Sequence, residues 1–178
     1  MTSSSKEIWI KPGYEIFALL GKCELKIEKL AKMVGKSKSS FYHFFADLDL
    51  YIDCLLEHHI EQSYIIAGKE QKANKVDPDI INILVDHKVD MLFNRQLRIN
   101  QNVKSFSDTL KQSNKIVGDA FIKVWVKDLD LKLTPNQIEG IFSLALENFF
   151  LQINTDNLNK SWLSAYFENL KTIASNFS

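Results

Sequence analysis

The chain has 178 residues, 46% of them apolar, and its 22 basic and 22 acidic side chains give a formal net charge of zero. That length fits one ordinary domain, or a small domain packed on a larger one, with enough apolar residues for a buried core; neutrality argues against a protein that coats nucleic acid without specificity. No apolar run approaches the roughly 18 residues of a membrane span, and the start MTSSSKEIW lacks a signal peptide's apolar core, so a cytoplasmic protein with no membrane partner is expected. The charge is unevenly spread. Residues 1–45 hold eight lysines against Glu7, Glu15, Glu24 and Glu28, a balance of +4 that leaves −4 for residues 46–178. A basic head on an acidic body predicts that only the head meets DNA.

With six glycines, three prolines and no stretch of alternating strand pattern, the chain reads as all-α, with about nine helices. The first spans residues 7–20, with Lys11-Pro12-Gly13 marking where the regular helix begins and Gly21 its end. Residues 26–45, KIEKLAKMVGKSKSSFYHFF, then read as two short helices joined by a tight turn. Ile27, Leu30, Ala31 and Val34 share one face of the first. Gly35 suits a left-handed helix end, and Ser37 can cap the next helix. That helix buries Phe41 and Phe45 and turns Lys38, Ser39, Ser40 and His43 outward. A helix–turn–helix of this build places its second helix in the major groove, where small serines let the backbone approach and Lys38 and His43 can donate to guanine N7 and O6. Lys36, Ser37 and Tyr42 flank that face and are expected on phosphates. The residues alone also permit a plain helical hairpin with a solvated lysine face.

The same stretch resembles the DNA-binding half of the tetracycline-repressor (TetR) family of bacterial transcription regulators, most specifically over LAKMVGKSKSSFYHFFADLDLYIDCLL. Leu30-Ala31, Gly35, Ser37-Lys38, Phe41-Tyr42 and Phe45 follow the family's order and spacing without gaps. Two positions depart from it. The family usually has Ser or Thr where Lys26 stands, and a lysine that supports a backbone contact where Leu48 stands. The resemblance implies a DNA-binding domain, here residues 1–56, followed by a helical effector-binding and dimerisation domain, residues 57–178.

Beyond the motif, Asp47 can cap a helix running to Ala67, with Gly68 and the polar run KEQKANKVD marking its end and a boundary in the chain. Asp77-Pro78-Asp79 predicts a helix start for a segment running to about Phe93, with His87 as a satisfied core or edge histidine. Residues 95–104 read as a short helix or bend, and residues 105–126 as a long helix interrupted at Gln112-Ser113-Asn114. Residues 128–133 form a connector. Thr134-Pro135-Asn136-Gln137 is a capping box, opening the first of two closing helices, residues 135–153 and 158–177.

Those two helices carry more apolar surface than one core-facing stripe requires. Ile138, Phe142, Leu146, Phe149, Trp162, Tyr166, Phe167 and Leu170 are therefore assigned to a two-fold interface between copies, in keeping with dimeric readers of DNA; internal core of one subunit is the alternative. The aromatic side chains Phe93, Phe106, Phe121, Trp125, Phe142 and Phe149 are either plain core or the lining of a pocket for an apolar or amphipathic effector. Cys23 and Cys54 lie far apart and read as reduced and structural, and adjacent His58-His59 point about 100° apart on a helix, so neither pair makes a metal site. No cofactor is expected, and the absence of a Gly-rich phosphate loop, H-E-x-x-H or G-x-S-x-G argues against an enzyme. Taken together, the residues and the resemblance describe a homodimeric transcription regulator, read as a ligand-responsive repressor on a palindromic duplex operator. A helical interaction or scaffold protein that keeps the shape without binding DNA is the alternative.

Overall fold

The structure is a computed structural model that describes residues 3–129 and 134–176, with side chains from Lys6 onward. Among the described residues it holds nine α-helices and no strand. They are α1 Ser3–Leu20, α2 Ile27–Val34, α3 Lys38–Phe44, α4 Leu48–Glu70, α5 Ile81–Asp86, α6 Lys88–Ile99, α7 Lys104–Leu129, α8 Pro135–Gln152 and α9 Lys160–Ser175. No helix among the described residues is long and apolar enough to cross a membrane.

Several boundaries differ from the pattern in the sequence. Helix α1 runs straight past Pro12 instead of beginning there. Just ahead of the proline, the Trp9 carbonyl accepts a hydrogen bond of 2.6 Å from the buried Tyr51 hydroxyl, so a partner 42 residues away serves a backbone group in the weakened turn. Helix α4 continues through Gly68 to Glu70. The segment expected over residues 80–93 divides at His87, and its second half continues as α6 to Ile99, into the first part of the stretch read as a short helix or bend. Helix α7 is the expected long helix, but the polar Gln112-Ser113-Asn114 is not simply a solvent-facing turn: Ser113 is buried and accepts from Asn94 Nδ2 at 3.3 Å. Asp77 does not cap the turn that precedes α5. Asp79 Oδ2 accepts from the backbone N–H groups of Asn74 and Lys75, while Asp77 accepts from Ser164. Residues 130–133 of the expected connector, and Phe177 of the last helix, lie outside the described residues.

The capping box is formed as expected: Thr134 Oγ1 accepts from Gln137 N, and Gln137 Oε1 accepts from Thr134 N, with Pro135 at the first helical position. Thr134 is exposed, so Thr134→Ala removes the cap without opening a cavity. It should lower stability by about 1 kcal/mol, read as a shift in the urea midpoint with unchanged slope. An unchanged midpoint would mean that the box contributes nothing.

The chain divides into two compact units, Met1–Gln62 with Leu92–Ser113, and Ser63–Met91 with Asn114–Ser178. The core of the first is aromatic. Phe41 meets Trp9, Phe45 and Tyr51 with ring centroids 5.0–5.4 Å apart; Phe93 stacks on Tyr14 at 4.2 Å and lies 4.5 Å from Phe17, which meets Phe106 edge-on at 5.5 Å. Each ring of this size buries more apolar area than an aliphatic side chain, so these contacts weigh heavily beside the buried Leu25, Leu30, Leu55 and Leu97. In the second unit Phe121 lies 5.9 Å from both Phe142 and Phe167, and Trp162 stacks on Tyr166 at 5.3 Å.

Candidate nucleic-acid interface

In the first unit, α2 buries Leu30 and Ala31 and half-buries Ile27 and Val34, the face its spacing predicts. Gly35 takes the left-handed conformation (φ 68°, ψ 33°) that favours glycine, and its N–H closes on the carbonyls of Ala31 and Lys32. Ser37 is extended and its Oγ accepts from Ser40 N at 3.2 Å, which starts α3. Phe41 and Phe45 then anchor α3 in the aromatic core. With that side fixed, Lys36, Ser37, Lys38, Ser39, Tyr42 and His43 are exposed together, and Ser40 is half-buried by its place in the cap. All seven residues singled out for DNA contact thus belong to one turn and the short helix after it. At the two departures from the family pattern, Lys26 makes no side-chain capping bond to α2, and Leu48 is half-buried at the start of α4, where Asp47 Oδ1 accepts from Leu50 N at 2.8 Å.

The electrostatics hold a feature that residue spacing did not show. Lys38 Nζ reaches Glu28 Oε1 at 3.0 Å, bracing α3 against α2, and Lys29 Nζ reaches Glu24 Oε2 at 3.1 Å. The lysine ammonium groups hold both carboxyls below their usual range, and Glu28 pushes the Lys38 ammonium up. The Lys38–Glu28 bridge is exposed and the Lys29–Glu24 bridge only half-buried, so they orient side chains more than they stabilise the fold. The signal was a glutamate and a lysine ten positions apart, meeting only because the Gly35 turn folds the helices together. Lys22 lies over the Phe106 ring at 5.5 Å, while Lys26, Lys32 and Lys36 make no ion pair among the described residues. These cations and the small polar face of α3 can meet an anionic, hydrogen-bonding surface.

The six aromatic residues considered for a pocket do not all come together. Phe93 and Phe106 belong to the core of the first unit; Phe121, Trp125, Phe142 and Phe149 belong to the second. The second unit has a cleft of about 70 Å3 bordered by Val76, Trp125, Leu129 and Phe167 and rimmed by Asp77, Glu168 and Lys171, far smaller than the roughly 300 Å3 or more of a drug-sized site. Of the residues assigned to a two-fold interface, Phe149 is buried, whereas Ile138, Phe142, Leu146, Trp162, Tyr166, Phe167 and Leu170 are half-buried. Leu144 and Leu151, seven residues apart on α8, are 75% and 78% exposed, and Ile173 on α9 is 53% exposed. Cys23 and Cys54 are free thiols, and no group of three metal-ligating side chains occurs among the described residues. No family model matches the chain, and no curated protein matches it.

Proposed function

We propose that the chain is a sequence-specific DNA-binding transcription regulator of the tetracycline-repressor kind, a non-enzymatic, ligand-responsive repressor that reads a palindromic operator as a homodimer. The observation that carries this is the geometry of α3: two buried phenylalanines anchor it, a serine caps it after a left-handed glycine, and its outer face is small, polar and partly cationic. Such a helix can approach base edges closely. A dimer is supported by the apolar face of α8, since Leu144 and Leu151 at this exposure are poorly placed in water. A helical scaffold without DNA binding is the second reading, favoured by the bridge that occupies Lys38 with Glu28.

Selection from random duplex pools followed by gel shift separates the two. A palindrome with half-sites about one helical turn apart is expected. On that site His43→Ala should cost roughly 1–3 kcal/mol and on random duplex almost nothing, whereas Lys36→Ala should weaken both. Equal losses for the two variants on both duplexes would contradict the separation of base from phosphate contacts, and an empty selection would leave the scaffold.

A further inference from the structure

Six lysines and two acids lie between Lys22 and Phe45, and each acid sits on a lysine. The two pairs differ in what they join. Glu24 takes Lys29 at 3.1 Å, and neither belongs to the seven residues of the candidate interface. Glu28, the second residue of α2, takes Lys38, the first residue of α3, at 3.0 Å. Its carboxylate therefore stands beside the residues offered to the duplex, where phosphates would repel it. Stability does not explain it there, since the Lys38 side chain is 56% exposed and that of Glu28 69%, and so open a bridge adds little to the fold. The exposed Lys36, two residues earlier on the turn, has no ion pair among the described residues.

We infer that Glu28 is a specificity-determining residue, which withholds Lys38 from phosphates and keeps it for neutral acceptors on base edges. The inference rests on the proposed reading of α3 as the helix that enters the major groove. An ammonium has three N–H donors and Glu28 Oε1 accepts from one, so two remain for a further acceptor. Guanine N7 and O6 carry no net charge and tolerate a carboxylate beside the ammonium. A phosphate is an anion. To gain Lys38 it must displace Glu28 or lie against it, and both cost free energy. The bridge thus lowers affinity for the backbone of any duplex by more than it lowers affinity for a duplex with guanine in register with Lys38. The difference between the two is specificity. Lys36, which has no such partner, serves both duplexes alike.

The test uses the full chain, the palindrome recovered by selection and a random duplex of equal length, titrated by fluorescence anisotropy at several salt concentrations. Glu28→Gln keeps the size of the side chain and removes its charge, so the urea midpoint should stay close to that of the wild-type chain. At about 0.1 M salt the variant should bind the random duplex about tenfold more tightly, with a salt dependence steeper by about one ion per subunit, as Lys38 turns to the backbone. Its affinity for the palindrome should change by no more than about threefold, so the ratio of the two affinities falls. In a Lys38→Ala background, Glu28→Gln should raise both affinities by the same factor, because only the repulsion of the carboxylate is left to remove. An equal gain on both duplexes with Lys38 present, or no gain on either, overturns the inference and leaves the DNA reading intact. If neither the wild-type chain nor the variant retains any duplex, the DNA reading itself fails and takes the inference with it.

Discussion

Glu70→Gln is expected to become more stable relative to the wild-type chain as pH rises, with a gap on the order of 4 kcal/mol by pH 9. In the unfolded chain the carboxyl ionises near its ordinary value of 4.5, whereas burial raises it to about 8 in the fold. Over that interval the native state holds a proton that the unfolded state has released, so raising the pH favours unfolding. The contribution of Glu70 is fully present below about pH 4.5 and is lost as pH rises through about 8, at roughly 1.4 kcal/mol per unit. Glutamine does not titrate and escapes the loss. Urea midpoints of both proteins at pH 5, 7 and 9 measure the gap. A gap that stays constant over this range would mean that the carboxyl is not alone in an apolar setting.

Gly13→Ala should be the most damaging single methyl in the first unit. A Cβ built on Gly13 lies 1.7 Å from Tyr51 Oη and 2.6 Å from its Cζ. Tyr51 cannot yield readily, being fully buried between Phe41 and Phe45 with its hydroxyl donated to the Trp9 carbonyl. Moving the ring sacrifices that hydrogen bond and disturbs the aromatic core, at a combined cost of about 3 kcal/mol or more. Tyr51→Leu is destabilising too, but it removes the atoms that clash. The double variant should therefore be less destabilised than the sum of the single ones, by about 1 kcal/mol or more. Strict additivity in denaturant titrations would show that Gly13 and Tyr51 do not compete for the same space.

What could be read from the sequence was local chemistry. The Gly35 turn, the Ser37 cap and the Thr134 box each satisfy their backbone groups within a few residues, so the necessary information is contiguous. The seven polar residues around α3 followed from the same logic, because Phe41 and Phe45 fix which side faces outward. Partners distant in sequence explain the rest. Pro12 looked like a helix start because Tyr51, which serves the Trp9 carbonyl, lies 42 residues downstream. Gln112-Ser113-Asn114 looked like a solvent-facing turn or a pocket wall because nothing local pairs Ser113 with Asn94. Glu70 sits in the polar run KEQKANKVD, where every neighbour argues for solvent, and only tertiary packing buries it. The Lys38–Glu28 bridge was hidden in the same way, since residue spacing records the helices and not the angle at which a turn sets them.

The aromatic core of the first unit limits how the α2–α3 motif can be moved between proteins. Tyr14 and Phe17 come from α1, but the rings they pack on, Phe93 and Phe106, come from α6 and α7. A fragment ending at residue 62 would carry every residue of the candidate interface and lack these two rings. It would leave Tyr14 and Phe17 of α1, the helix on which α2 packs, without the rings that cover them, so the support beneath the motif would be weakened. The head is therefore not a graftable cassette. Exchanging its specificity with that of another protein would require changing the outward residues of α3 in place, while leaving the buried face and the two distant rings untouched.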